Sequence, residues 1–131
     1  MVHQFGLERK FVITACLGFT LFTGSPLYAL ASSLVSITSQ SSFNPQTITI
    51  HTGESVKWIN TSGAVHTVTD DPHLAAKGKD STLPAGAKSF NSGFLKSGDN
   101  YIHVFNVPGI YHYFCLLHEE MGMVGTVVVN P

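Results

Sequence analysis

Cys115, His118, Met121 and Met123 lie close together in GIYHYFCLLHEEMGMVGTVVV, the run from Gly109 to Val129. A thiolate, an imidazole and a thioether gathered into one short turn suit an ion that cycles between Cu(I) and Cu(II). Soft sulfur holds Cu(I), imidazole accepts either state, and a weak axial methionine completes a trigonal site of two histidines and one cysteine. This turn supplies a single histidine, so the second must arrive from elsewhere. His66, far upstream in VHTVT, is the candidate. Either methionine could complete the set.

Two strand-like runs flank that turn. Before it, alternation puts Tyr111, Tyr113 and Cys115 on one face and Ile110, His112 and Phe114 on the other. If Cys115 faces the metal, both tyrosines belong to the core and Phe114 and His112 point outward, which excludes His112 as a ligand. After the turn, residues 124–129 are β-branched almost throughout.

Upstream, short β-prone runs separated by Gly, Pro, Asn, Asp and Ser predict an all-β sandwich or barrel. Residues 34–38 read as a first strand. Residues 43–51 read as a second, with Ile48 and Ile50 inward and a bulge or edge at Pro45, which cannot donate to a ladder. Val56 and Trp58 face inward from a third, and Ile59 points outward. Residues 65–69, 89–95 and 101–105 are further expected strands. Asp71 and Pro72 predict the start of a short helix running to Lys77. His103, mid-strand, reads as structural or exposed rather than ligating, and His73, near Asp70 and Asp71, as part of an exposed polar helix start rather than a second metal site.

Residues 1–31 read as a signal peptide: Arg9 and Lys10, an apolar run, a Gly24-Ser25-Pro26 break and Ala29-Leu30-Ala31 as a small-x-small cleavage site. The competing reading is a retained anchor, since residues 11–31 carry no charge and are long enough to span a bilayer. Cleavage leaves one domain of residues 32–131, without a membrane span, in which Cys115 is the only cysteine. A lone thiol in an exported chain is exposed to oxidation, and a bound metal protects it. The five lysines and seven acids of that domain form no basic patch, which argues against nucleic acid as a partner.

The chain resembles the small blue (type 1) copper proteins, the cupredoxins, especially their plastocyanin and pseudoazurin branch. The resemblance rests on Gly53-Glu54-Ser55-Val56-Lys57-Trp58 with Asn60, on His66-Thr67-Val68, and on Pro108-Gly109-Ile110-Tyr111 leading to Cys115, His118, Met123 and Gly125. It implies an eight-stranded Greek-key sandwich with one copper ion at one end, bound by His66, Cys115, His118 and Met123. Met123 is preferred to Met121 because Gly122-Met123-Val124-Gly125 follows the longer ligand spacing of that branch.

The implied role is carriage of single electrons between redox partners, with no catalytic turnover, in the periplasm or facing it from a membrane. Partners such as a c-type cytochrome or a copper or quinoprotein enzyme would dock briefly near His118, on an apolar patch of Ala64, Leu116, Leu117 and Met121. Glu119 and Glu120 beside that patch point to partners that are not acidic there. Thr67 and Asn60 are candidates to hydrogen-bond across the ligand loops. The same ligands could instead serve copper delivery, and a metal-free adhesion sandwich is the third reading. A monomer is expected. A multicopper oxidase would need more than one domain and a His-Cys-His triplet, and a purple binuclear site would need a second cysteine.

Overall fold

The computed structural model describes residues 32–131; the signal-peptide expectation lies outside the described residues. Seven strands form two facing sheets: β1 (Ser32–Ile37), β2 (Phe43–Asn44), β3 (Thr47–His51), β4 (Ser55–Asn60), β5 (Asn100–Val104), β6 (Gly109–Phe114) and β7 (Val124–Asn130). One sheet runs β2-β1-β4-β5 and the other β3-β7-β6, each mixing parallel and antiparallel pairs. The all-β sandwich expected from the strand pattern is therefore present, with seven described strands where eight were expected.

The expected strand over 43–51 divides at Pro45. Phe43 and Asn44 pair with β1 in the first sheet, whereas Thr47–His51 pairs with β7 in the second. A proline has no N–H for the ladder, and here the chain crosses between sheets at that gap. Ile50 is buried and Thr47, Thr49 and His51 are exposed, as alternation requires.

Between the sheets the core is aromatic. Trp58 from β4 meets Tyr113 from β6 at 5.3 Å between ring centroids, nearly perpendicular, and Phe90 at 5.8 Å. Edge-on pairing of this kind suits the ring quadrupoles, and truncating either large ring would cost about 3–5 kcal/mol. Gly125 lies directly opposite Tyr113 in the β6–β7 register, and a Cβ there would run into the phenol ring. The glycine that ends the candidate ligand motif is thus required by packing.

Residues 61–99 depart most from expectation. The runs 65–69 and 89–95 do lie antiparallel, but they meet only at isolated bridges, His66 with Leu95 and Thr69 with Asn91. Side chains replace one bond of each pair between the bridges: Ser92 Oγ accepts the Val68 N–H at 2.8 Å and Asp70 Oδ1 accepts the Phe90 N–H at 2.7 Å, while the Ser92 and Asp70 N–H groups still donate to the Val68 and Phe90 carbonyls. Such local oxygens compete with sheet carbonyls, so neither run becomes a strand.

The helix expected over 72–77 is also absent. Asp71 Oδ1 does accept the His73 N–H at 3.0 Å, giving one capped turn. Beyond it, the Ala76 and Lys77 N–H groups donate to the Glu119 carboxylate instead of to carbonyls four residues back. The only helical turns among the described residues are 3-10, at Gly78–Asp80 and Glu119–Met121.

Candidate metal centre

β6 and β7 pair from Gly109↔Val129 to Phe114↔Val124, and the candidate turn hangs from the end of that ladder. The Cys115 N–H donates to the Met123 carbonyl at 3.1 Å, closing the neck. Inside the turn, the His118 N–H donates to the Cys115 carbonyl, and the Met121 and Met123 N–H groups both donate to the His118 carbonyl. Gly122, at φ 84°, occupies the left-handed conformation that ends the 3-10 turn, one that glycine takes without steric cost.

His66 reaches this turn from a separate loop, which bridges at His66 to Leu95. Its backbone exchanges two hydrogen bonds with Leu95, at 2.8 and 3.1 Å. Asn60, at the end of β4, fastens the loop that carries it. Asn60 Nδ2 donates to the Ala64 carbonyl at 2.7 Å and the Leu95 carbonyl at 2.9 Å, while Oδ1 accepts from Ser62 N–H and Ser62 Oγ. Ser62 Oγ lies 3.0 Å from His66 Nε2, which leaves Nδ1 free to face inward.

The three groups converge. His118 Nδ1 lies 3.4 Å and His66 Nδ1 3.8 Å from Cys115 Sγ, and all three donor atoms fall within 4.8 Å of one another. Those separations suit ligands bound to one shared ion, with imidazole bonds of about 2.0 Å and thiolate bonds of about 2.3 Å. Cys115 is 0% exposed, and burial chiefly, with the His118 charge second, lowers the His66 pKa, which favours the neutral imidazole that a metal needs.

Thr67 ties the two sides together. Its N–H donates to Cys115 Sγ at 3.3 Å, and its Oγ1 accepts the Leu116 N–H at 2.8 Å. Thr67 therefore bonds across the ligand loops, as its position suggested, whereas the side-chain bonds of Asn60 stay on the His66 side and reach no residue of the turn. Ser62 was missed, although its place two residues after Asn60 in a turn was the available signal.

The methionines part company. Met123 is 1% exposed within the core, whereas Met121 is 73% exposed. Tyr111 and Tyr113 are buried as alternation required. Phe114, expected to point outward, is fully buried although it lies outside the cluster between the sheets, and its backbone forms a two-bond bridge with Thr69 that brings the irregular strip alongside the end of β6. His112 is half-buried, with Nδ1 3.0 Å from Thr126 Oγ1.

Glu119 also departs from expectation. It is 3% exposed, and its two oxygens accept the Ala76 and Lys77 N–H groups at 2.9 and 2.8 Å, so it is no surface charge. Glu120 is exposed and lies 3.5 Å from Lys77 Nζ. The acidic docking edge is reduced to one carboxylate, itself paired.

Two sheets closing over an aromatic core, with two histidines and a cysteine brought together at one end, define a protein of the cupredoxin type, and the donor set fits one type 1 copper ion. The chain belongs to the copper-binding proteins of the plastocyanin/azurin family, whose family model matches residues 31–130. It is 37% identical over 88 residues to the chloroplastic plastocyanin of Tetradesmus obliquus, an alignment covering 67% of this chain and 58% of that protein. The plastocyanin of Scenedesmus fuscus is 34% identical over 88 residues, covering 67% of this chain and 86% of its own. The chain thus spans a little over half of the first of these relatives.

Among solved structures, pseudoazurin from Methylobacterium extorquens AM1 superposes with a TM-score of 0.62 at 23% identity over 76% of each chain, a likeness of fold. A purple cupredoxin from Nitrosopumilus maritimus gives 0.58 at 26% identity, covering 75% of this chain and 99% of its own.

Proposed function

We propose that this protein carries single electrons between redox partners by cycling one type 1 copper ion, with His66, Cys115, His118 and Met123 as its ligands. The observation that carries the reading is the convergence of two imidazole nitrogens and one thiol within 4.8 Å, from positions 49 residues apart. The copper supplies the one-electron couple, and the chain keeps its surroundings fixed while the electron moves. Ligands that need not rearrange between oxidation states favour fast transfer. In support of this, the neck bond from Cys115 to the Met123 carbonyl and the Thr67 bonds brace the turn, and the Asn60 network braces the loop that carries His66.

Burial of Met123 supports it, rather than the solvent-facing Met121, as the thioether that would complete the ligand set. His118 is the half-buried member of the set and lies beside Leu117, which is 51% exposed. The electron would pass at this edge, with partners such as a c-type cytochrome or a copper or quinoprotein enzyme docking on Ala64, Leu117 and Met121. We place the protein outside the cytoplasm, processed after residue 31, in the periplasm and as a monomer. No helix among the described residues is long and apolar enough to cross a membrane.

The test is to add Cu(II) to the purified protein and record its visible spectrum and a voltammogram. An intense blue thiolate-to-copper band with a reversible one-electron wave is expected. A folded sample without the band would overturn the proposal, and a band without reversible redox behaviour would favour copper delivery.

A further inference from the structure

Glu119 directly follows His118, yet it is buried, and both of its oxygens are committed to the backbone N–H groups of Ala76 and Lys77, more than forty residues away in sequence. No ordinary surface acid is held in this way. A buried carboxylate that accepts two amide bonds is an acceptor only, with its negative charge kept in place by the fold. Its own backbone belongs to the turn, because the Gly122 N–H donates to the Glu119 carbonyl at 2.8 Å. The side chain therefore bolts the 71–77 loop to the segment that carries His118.

We propose that Glu119 is a positioning residue for His118 and that its fixed charge biases the site toward Cu(II). The proposal rests on the electron-carrier reading. Two consequences follow from the geometry. Fastening the turn to a second loop limits how far the His118 ring can shift when the metal changes state. A negative charge away from solvent at the ligand turn stabilises the more positive ion, because low local dielectric screens it little. Glu120 is the internal control: it is the next residue, carries the same kind of charge, and is exposed beside Lys77 Nζ, where that cation, water and salt screen it.

The test compares Glu119→Gln, Glu119→Asp and Glu120→Gln with the unaltered protein. In the metal-free protein, amide hydrogen exchange at Ala76 and Lys77 is expected to accelerate tenfold or more in Glu119→Gln, where one donor loses its acceptor, while the amides of β4 keep their protection. With copper bound, the Cu(II)/Cu(I) balance is expected to move threefold or more toward Cu(I), a rise in potential of about 30 mV at 59 mV per tenfold. Glu119→Asp keeps the charge but shortens the reach, so it should speed exchange while shifting the potential less than Glu119→Gln. Glu120→Gln should leave exchange unchanged and move the potential by less than a third as much.

Unchanged exchange in Glu119→Gln would overturn the fastening. Equal shifts in potential for the two glutamine variants would overturn the bias. Failure of the unaltered protein to form a blue site would overturn both the carrier reading and the bias, with exchange in the metal-free protein still deciding the fastening.

Discussion

The ligand turn and the strip that delivers His66 are built in opposite ways. Cys115, His118 and Met123 sit on one hairpin connection, between strands that pair residue by residue from Gly109↔Val129 to Phe114↔Val124. His66 sits in residues 61–99, which contain no strand and are held by scattered bonds: the paired backbones of His66 and Leu95, and side chains from Asn60 to Leu95, Ser92 to Val68 and Asp70 to Phe90. One side of the centre is fixed by local spacing, and the other by a handful of individual hydrogen bonds. Changes to the turn should therefore alter the metal's chemistry with little effect on folding. Changes to the strip should loosen the site by letting His66 drift.

The sharpest break on the turn side is Cys115→Ala. It should abolish the blue band entirely while the far-ultraviolet dichroism stays that of a β-sandwich, and a surviving band would remove Cys115 from the site. On the strip side, Asn60→Ala removes both acceptor and donor atoms from a buried network: the Ser62 N–H loses its acceptor, and the Ala64 and Leu95 carbonyls each fall back on a single remaining bond, from Ser62 Oγ and the His66 N–H. With about 1–3 kcal/mol lost for each buried group left unpartnered, we expect about 3 kcal/mol of destabilisation in denaturant unfolding and faster loss of copper to a chelator. Retained stability with unchanged metal loss would show that the strip does not depend on Asn60.

The two methionines sharpen the comparison within the turn. Met123→Ala should shift the visible spectrum and the potential strongly, and Met121→Ala should leave both close to their original values. The reverse outcome would reassign the axial ligand.

The smallest expected effect is a pH dependence on the strip side. Burial chiefly pushes the Asp70 carboxyl from 3.8 up to about 6; the Phe90 N–H and Asp70's own backbone oppose this, and the Asp71 charge adds to it. Oδ2 has no hydrogen-bond partner, while the Ser81 hydroxyl donates to the Asp70 carbonyl. Because the folded carboxyl holds its proton to higher pH than the unfolded one, Asp70 costs stability progressively as pH rises from about 4 to about 6. Asp70→Asn keeps an acceptor for the Phe90 N–H and removes this slope. In metal-free protein it should be more stable than the original by about 1–2 kcal/mol above pH 6, with the difference vanishing near pH 4. A difference independent of pH would reject the account.

Cys115, His118 and the inward tyrosines were legible in sequence because the features that specify them are local: a period-two alternation and a compact ligand spacing on a single connection. His66 was identified by what the turn lacked. Sequence could say that a second imidazole was needed, and not how it would be held.

The strip's failure to form strands, the burial of Phe114 and the conversion of Glu119 from a surface acid into a fastening each depend on partners twenty or more residues away. Alternation assigns a face to each residue, and only packing decides whether that face meets water. The sequence by itself determined the metal's chemistry, since donor types and their local order set which ion is held. Tertiary structure decided which carboxylate is buried, which methionine faces the core and what holds His66 in place, because those outcomes turn on hydrogen bonds and contacts between segments that no local pattern encodes.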